Sequence, residues 1–195
     1  MAAPSKTYEK IIQAALELIA RQGYHNTSIK NITDKLGMTP SAIYAHFESK
    51  AEICHEIIKL WDTHYVDRAI QTAREESGSA TNKLHRLISI GASQIGGMDL
   101  INAYYILRDE LKSDPEFVVQ FTNIHLKYQN FLVDLFRMGI KEGSLKKNLD
   151  PVVMASLYRA IIRGMFQEWV FFKNQIDGEQ FIRNFRTVFF KGIEA

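Results

Sequence analysis

The sequence has little of several features that would assign a protein to a membrane or secreted class. Its 195 residues include one cysteine, Cys54, so no disulfide can form within the chain, as is typical of a reducing cytosol. No apolar run approaches the roughly 20 residues that are needed to span a membrane. The first residues, MAAPSKTYEK, lack the apolar region of a secretory signal. We therefore expect a cytoplasmic protein without a membrane partner.

Motifs that carry enzyme chemistry are also scarce. The sequence contains no G-x-S-x-G, GxGxxG, Walker A or H-E-x-x-H pattern. The six histidines are scattered, and the nine-residue separation of His55 and His64 is not that of paired metal ligands. Cys54 follows apolar Ile53, which favours a buried and unreactive thiol. We expect no catalytic residue, no cofactor and no metal site.

Composition indicates an ordinary globular protein, with 46% hydrophobic and 24% charged residues. The net charge of +2 permits a nucleic-acid partner but does not point to one. Residues 1–50 contain six basic and four acidic side chains, so this segment carries the whole formal excess. The remainder of the chain is balanced. Any basic surface for nucleic acid is therefore expected near the N-terminus.

Apolar residues recur at helical spacing along almost the whole chain, and no convincing β-alternating segment or internal repeat is present. We predict an all-α fold of about nine helices. Their expected positions are about residues 5–22, 29–36, from 40, 50–76, 83–95, 99–111, 115–142, 151–173 and 178–193.

Residues 27–50, TSIKNITDKLGMTPSAIYAHFESK, predict two short helices joined by a tight turn, with a further helix beginning at the end. Thr27 and Ser28 offer side-chain oxygens to the free N–H groups of the first short helix. Gly37 follows that helix at a position where left-handed backbone is needed. This arrangement is typical of a helix-turn-helix.

The second short helix has one apolar face and one small, polar face. Thr39 is its expected cap, and Pro40 occupies the first position, where a missing N–H costs nothing. The apolar residues that hold the two helices together are Ile29, Ile32, Leu36, Ile43 and Phe47. The outward residues are Pro40, Ser41, Ala42, Tyr44, Ala45 and His46. A helix that enters the major groove of DNA needs a face of this kind.

The same region resembles the DNA-binding region of the TetR family of bacterial transcriptional regulators. The similarity begins at IIQAALELIARQGYHNTS, where Gly23 and Tyr24 stand at the family's turn, and continues through IYAHFESKAEI, which is similar to its most recognisable motif. One face of the first helix carries Ile11, Ala14, Ala15, Leu18 and Ile19. The resemblance covers about the first quarter of the chain, and several motifs in the right order are more specific than a generic helix-turn-helix.

The resemblance implies a DNA-binding domain at residues 1–48 and a helical body at 49–195 that dimerises and holds a small-molecule pocket. It assigns ten residues to DNA: Thr27, Ser28, Lys30, Thr39, Pro40, Ser41, Ala42, Tyr44, His46 and Lys50. We expect Lys30 and Lys50, with Lys6, to meet phosphates. Pro40 and Ala42 depart from the Lys, Gly or polar residues that members often carry, so base readout is expected to rest on Thr39, Ser41 and Tyr44, or on water and DNA shape.

Aromatic and amphiphilic residues in the body suggest a pocket for an amphipathic ligand, although such residues also form ordinary cores. The candidates are Trp61, Tyr65, Tyr104, Tyr105, Phe121, His125, Tyr128, Gln129, Arg159, Arg163 and Trp169. Arg159 and Arg163 lie one turn apart and could meet an acidic head group or pair with Glu168 or Asp177. The run NLDPVVMASLYRAIIRGMFQEWV is similar to the body of TetR members that sense fatty acyl-CoA.

Small residues spaced by four in the eighth helix, Ser156, Ala160 and Gly164, would let another helix approach closely. The resemblance favours a homodimer interface there, together with Phe181, Phe185 and Phe189 of the last helix. Packing within the same chain is the alternative.

We therefore predict a homodimeric, ligand-responsive transcriptional regulator, with repression as the expected mode, that binds a palindromic double-stranded operator. A small amphipathic effector, for which a fatty acyl-CoA is a candidate, is expected to release it. Two alternatives are a helical interaction protein that does not bind DNA and a small-molecule-binding enzyme. Salt-dependent binding to a DNA duplex would distinguish the first alternative.

Overall fold

The computed structural model describes residues 5–93, 98–172 and 177–195. These residues form nine helices, and none of them lies in a β-strand, so the predicted all-α fold is confirmed. The bounds are α1 Lys6–Gln22, α2 Ile29–Leu36, α3 Pro40–Tyr44, α4 Lys50–Trp61 continued through Asp62–Asp67 and Arg68–Glu75, α5 Ala80–Ser93, α6 Met98–Glu110, α7 Pro115–Glu142, α8 Pro151–Phe172 and α9 Gly178–Ile193.

Side-chain caps explain why several helices begin where the sequence predicts. The Oγ atoms of Ser5, Ser28 and Ser49 each accept the backbone N–H three residues later, at the starts of α1, α2 and α4. The Asn31 Oδ1 atom in turn accepts the backbone N–H of Ser28, which completes a capping box. Gly37 ends α2 with φ 64° and ψ 33°, the left-handed conformation that glycine adopts without steric cost.

Two features of the helices differ from the sequence prediction. Helix α5 begins at Ala80 rather than near Lys83, because the Glu142 carboxylate accepts the Ala80 N–H at 2.6 Å from 62 residues away. Helix α4 is continuous over the predicted range, but its hydrogen bonding becomes π-helical at Asp62–Asp67. Such segments are rare in proteins overall, and those that occur are often found at functional sites.

The chain divides into two compact units, Met1–Tyr65 with Gly97–Ile124 and Val66–Gly96 with His125–Ala195. In the first unit, α1 packs against α2, α4 and α6, and α4 packs against α6. Its wholly buried side chains include Ile11, Ile19, Ile32, Ile43, Ile53 and Ile57. We call helices α1–α3 the head. The first unit therefore contains more than the predicted residues 1–48, and that domain boundary stays a prediction.

In the second unit, α5 packs against α9 and against the Arg68–Glu75 part of α4. Leu84, Ile88, Leu132, Phe136 and Tyr158 are among its most buried side chains. Burial raises the pKa of Tyr158 well above its ordinary value. Ile193 and Glu194 are tied to the α7–α8 connection, since the Ile193 carbonyl accepts the Lys146 N–H at 2.9 Å.

Cys54 is wholly buried within the first unit, as predicted, and burial raises the pKa of its thiol to about 12. A thiol in that environment stays protonated near neutral pH and is a poor nucleophile. None of the helices in the described part of the chain combines the length and the apolar character needed to cross a membrane.

Candidate DNA interface and effector-contact residues

Helix α3 is anchored by two buried side chains and presents the rest of its surface to solvent. Ile43 and Phe47 are buried, and the Phe47 ring stacks on Tyr8 of α1 with centroids 4.6 Å apart. Tyr44, in contrast, is 55% exposed. A large ring left in solvent on a short, well-anchored helix is available to a partner surface.

The predicted base-reading residues lie at the exposed start of α3. Pro40 and Ser41 are exposed and Ala42 and His46 are half-buried. Thr39 occupies the predicted N-cap position of α3, but its hydroxyl accepts no backbone N–H there. The Thr39 Oγ1 atom instead lies 2.9 Å from Ser41 Oγ. This pair of hydroxyls keeps donor and acceptor capacity that a base edge or water can use.

Two predicted contacts lie at the start of α2. Ser28 is exposed but its hydroxyl already serves the capping box with Asn31, donating to Asn31 Oδ1 at 2.6 Å. Lys30 is exposed on the first turn of α2. The contacts of these residues, and of those on α3, with DNA stay predictions.

The structure corrects the assignment of Thr27 to DNA contact. Its side chain is wholly buried, and Oγ1 donates to the Gly23 carbonyl at 2.8 Å. The hydroxyl therefore stabilises the turn between α1 and α2, and the prediction that it contacts DNA is wrong.

The assignment of Lys50 to a phosphate contact is corrected because its side chain also binds within the protein. Its Nζ donates to the carbonyls of Tyr24 and Thr27, each at 2.9 Å, and lies 3.8 Å from the centroid of the Tyr24 ring. Burial lowers the pKa of this ammonium group. Two of its three protons are directed into the protein, so the prediction that it is presented to phosphate is wrong for this structure. Lys50 holds the α1–α2 turn against the first turn of α4.

Five of the predicted pocket residues come together in the first unit, and we call them the aromatic cluster: Trp61, Tyr65, Tyr104, Tyr105 and Phe121. The Trp61 ring stacks between Tyr65 and Tyr104, with centroid distances of 4.3 and 4.1 Å. Tyr105 meets Trp61 edge-on at 6.0 Å, and Phe121 meets Tyr104 edge-on at 5.7 Å. Burial raises the pKa of Tyr65 to about 12. The π-helical segment begins directly after Trp61 and contains Tyr65.

Four other predicted pocket residues belong to the second unit. Arg159 of α8 donates to Gln129 Oε1 at 2.9 Å and to His125 Nδ1. Because a guanidinium group can only donate, His125 must offer an unprotonated Nδ1. Burial raises the pKa of the neighbouring Tyr128 above its ordinary range. The structure therefore brings a cation and a neutral imidazole together on α7 and α8.

The remaining two predicted pocket residues are less informative. Arg163 is exposed on α8. The side chain of Trp169 lies outside the described residues. Their contact with a ligand stays a prediction.

The small-residue stripe on α8 faces outward. Ser156 and Ala160 are exposed, and a Cβ atom added at Gly164 would meet no atom of the described residues within 4 Å. Apolar side chains on the same helix are also exposed, namely Val152, Val153 and Leu157. The alternative of close packing at Gly164 within the described part of this chain is therefore not supported.

The predicted interface residues on α9 need one correction. Phe185 is buried in its own chain, with its ring 5.2 Å from that of Phe189 and tilted against it, so assigning it to the dimer interface is wrong. Phe181 and Phe189 are half-buried and stay predictions. Val188 is 77% exposed and was not predicted from the sequence. Val188 shares one face of α9 with the exposed polar residues Asn184, Thr187 and Lys191, and an apolar residue on that polar face was the available signal.

Comparison with known proteins gives the family. Residues 11–57 match the family model described as bacterial regulatory proteins, tetR family. The chain is 30% identical over 164 residues to the fatty acid metabolism regulator protein of Bacillus subtilis, covering 84% of this chain and 81% of that protein. This chain belongs to the tetR family. The predicted DNA-binding, ligand-responsive transcriptional regulator is confirmed at that level.

Other regulators are similar to this chain over most of its length. The transcriptional repressor KstR2 of Mycolicibacterium smegmatis is 25% identical over 152 residues, covering 75% of this chain and 71% of that protein. The structure of FadR from Bacillus subtilis in complex with stearoyl-CoA has a TM-score of 0.75 at 25% identity, covering 91% and 94% of the two chains. The MbdR regulator from Azoarcus sp. CIB has a TM-score of 0.84 at 21% identity, covering 97% and 100%. These relatives are named as regulators rather than enzymes.

Replacing Lys50 and Lys30 by alanine should change two different properties, stability and the salt dependence of DNA binding. Lys50→Ala leaves two carbonyls without their charged donor, and we expect it to lower the free energy of unfolding by about 1–3 kcal/mol. Lys30→Ala should leave stability unchanged but flatten the slope of log K against log salt for DNA binding by about one unit. Urea unfolding and fluorescence anisotropy measure the two quantities. Unchanged stability for Lys50→Ala, with a flattened slope, would restore its assignment to phosphate.

Replacing Tyr44 by phenylalanine should weaken DNA binding by about 1 kcal/mol, the scale of one hydrogen bond, without lowering the Tm, because the ring is exposed. Ile43→Ala, at the residue directly before Tyr44, is the matched control. It removes a buried side chain and should cost about 2–5 kcal/mol of stability. A lower Tm with normal DNA binding in Tyr44→Phe would make Tyr44 a packing residue.

Proposed function

We propose that the protein is a cytoplasmic homodimeric repressor that binds a palindromic operator and is released by a fatty acyl-CoA or a similar amphipathic effector. The observation that carries this proposal is the 30% identity to a fatty acid metabolism regulator over 84% of the chain. The fold similarity to a FadR structure that contains stearoyl-CoA supports the same effector class.

The head supports the DNA-binding part of the proposal through the chemistry of α3. Its exposed positions carry the hydroxyls of Thr39, Ser41 and Tyr44, while the buried Ile43 and Phe47 fix the helix on the head. Hydroxyl and backbone groups bind phosphates. They can also contact base edges, either directly or through bridging water molecules. Because Pro40 and Ala42 are small residues on this face, we expect DNA shape to contribute to the sequence specificity.

Two groups of residues support binding of an amphipathic effector, and each is a separate candidate. The aromatic cluster offers large apolar rings with phenolic hydroxyls, a composition that suits an acyl chain. In the second unit, Arg159 is held in place by Gln129 and His125, and a guanidinium group so oriented suits a phosphate or carboxylate. Tyr104→Ala and Arg159→Gln test the two candidates independently.

The exposed face of α8 supports a homodimer. An isologous interface buries the same patch of two subunits, and a stripe of small residues flanked by Val153 and Leu157 allows two helices to approach closely. Val188 on α9 is a further exposed apolar side chain for such an interface.

Selection of binding sequences from a pool of random duplexes tests the proposed function. We expect a palindromic sequence whose affinity falls steeply with salt and is weakened about 5- to 150-fold by stearoyl-CoA, which is a coupling of about 1–3 kcal/mol. Coenzyme A and stearate, each alone, are the controls. Recovery of no salt-dependent duplex would favour a helical interaction protein that does not bind DNA. Release by coenzyme A alone would contradict the acyl chain as the recognised part.

Replacing Gly164 by leucine should disrupt the dimer without destabilising the subunit, because the described part of the chain leaves open space at that position. Sedimentation should show a monomer, and operator binding should collapse although no residue of the head has changed. Gly164→Ala is the control: it keeps the surface small and should remain dimeric. A Gly164→Leu protein that stays dimeric and binds DNA normally would place the interface elsewhere.

A further inference from the structure

Helix α9 carries a cation at a position that helical spacing assigns to the interior. Ile182, Phe190 and Ile193 are buried and recur at the spacing of one helix face. Arg186 lies on that face, one turn from Ile182 and one turn from Phe190, and is half-buried. Helix α9 packs against α5 within the second unit, and Arg186 donates hydrogen bonds to α5. The guanidinium group therefore faces its own chain rather than the surface proposed for a second subunit.

The hydrogen bonds of Arg186 are made with neutral groups of α5. Its Nη2 atom donates to the backbone carbonyl of His85 at 3.1 Å and to Ser89 Oγ. The Nε atom is enclosed by the protein and has no hydrogen-bond partner among the described residues. A guanidinium group has about five N–H donors and no acceptor, so the enclosed Nε–H can donate to one further oxygen, and leaving it unpaired is costly.

No carboxylate of the described residues forms an ion pair with Arg186. The neighbouring acids are engaged elsewhere, since Glu194 pairs with His85 at 3.1 Å and Glu179 with Arg183 at 3.3 Å. Residues 1–4, 94–97 and 173–176, which lie outside the described ranges, contain no Asp or Glu. A water molecule could accept from Nε, but it brings no negative charge. Because charges in protein interiors are usually paired, an anion from outside the chain would complete this arrangement.

The polar neighbours of Arg186 do not depend on it for their own hydrogen bonds. Ser89 Oγ donates to the His85 carbonyl at 3.0 Å. These two groups therefore remain paired with each other when Arg186 is removed. An uncompensated cation at a core position, whose removal leaves its neighbours satisfied, is better explained by binding than by stability.

The surroundings of Arg186 suit a ligand with an apolar body. Leu84 and Ile88 of α5 are wholly buried on either side of His85, and the Phe189 and Phe190 rings of α9 meet edge-on at 5.5 Å. A single carboxylate neutralises one guanidinium group, whereas a phosphate dianion would leave an excess negative charge among these apolar side chains.

Tyr158 of α8 adds a second polar group to these surroundings. Its side chain is 1% exposed. Burial raises the pKa of its hydroxyl, and the charge of Arg186 acts in the opposite direction, which shows that the two groups are near one another. The phenolic hydroxyl can donate a hydrogen bond to a carboxylate oxygen.

We propose that Arg186 is the anion-binding residue of a site in the second unit for an organic acid with one carboxylate and an apolar body. The carboxylate accepts from Nε–H, and the apolar body packs among the side chains of α5 and α9. This site is independent of the proposed effector, because the acyl chain of stearoyl-CoA ends in a thioester and has no free carboxylate.

Isothermal titration of the full chain with octanoate, without DNA or acyl-CoA, tests the site. Octanamide has the same chain without the charge, and we expect it to bind at least about tenfold more weakly than octanoate. Arg186→Met should weaken octanoate binding at least about tenfold and leave octanamide binding within about twofold.

Arg183→Met is the matched control. It removes an exposed arginine from the same helix, and octanoate binding should stay within about twofold, because a distant surface charge contributes little. Octanoate that binds Arg186→Met as well as the unmodified protein, or that does not bind the unmodified protein, would overturn the proposal.

The melting temperature separates a binding role from a structural one. Methionine brings no uncompensated charge to the core position, so Arg186→Met without ligand should have a Tm at or above that of the unmodified protein. Octanoate should raise the Tm of the unmodified protein and of Arg183→Met, but not that of Arg186→Met. A lower Tm in Arg186→Met that octanoate still raises would make Arg186 a structural residue and refute the site.

NMR of the arginine side chains tests the site even if Arg186→Met does not fold. Arg186→Lys keeps the charge, and the signal that disappears in this variant is the Nε–H of Arg186. In the unmodified protein that signal should shift when octanoate is added and stay in place with octanamide, while the Nε–H of Arg183 responds to neither. Bound octanoate that leaves the Arg186 signal unmoved would place the acid elsewhere and contradict the proposal.

Discussion

The first half of α4 is the constraint on which the rest of the first unit depends. Ile53, Cys54, Ile57 and Ile58 are wholly buried, and α1 and α6 both pack against this helix. At its first turn, Lys50 donates to the carbonyls that close the α1–α2 turn, and at its end Trp61 forms the centre of the aromatic cluster. Head and cluster therefore share one rigid element, and a buried interior of this density does not deform gradually.

This arrangement gives a physical basis for regulation by a small molecule. An effector can release the operator only to the extent that it binds one arrangement of the protein better than the other. If the aromatic cluster is the effector site, as we propose, a ligand must either add to the stacked rings of Trp61, Tyr65 and Tyr104 or displace one of them. The π-helical segment adjoining them is a place where the backbone of α4 already departs from regular geometry.

Most of the fold could be predicted from the sequence because it is determined locally. Ser28, Asn31 and Gly37 specify the bounds of α2 through contacts within a few residues, and each behaves as its residue type predicts. The features that escaped prediction depend on distant partners. Glu142 sets the start of α5 across 62 residues, and the Tyr24 and Thr27 carbonyls withdraw Lys50 from the surface across 26 and 23 residues.

The candidate sites show the same division. Exposure of Tyr44 and burial of Ile43 follow from helical periodicity, so the surface of α3 could be anticipated from sequence. Thr27 and Phe185 could not be placed, because a small polar residue at a turn and an aromatic residue on an amphipathic helix suit either side of the surface. The contacts of His55 with Gln120 join residues that lie 65 positions apart, and no local sequence pattern predicts them.

The central claim is that one coupling free energy links the effector and the operator, and thermodynamic linkage makes that coupling reciprocal. The most direct measurement is the Kd of stearoyl-CoA for the free protein and for the protein saturated with its selected operator. We predict that the operator weakens stearoyl-CoA binding by the same factor by which stearoyl-CoA weakens operator binding. Equal affinity of stearoyl-CoA for the free and the operator-bound protein would contradict it.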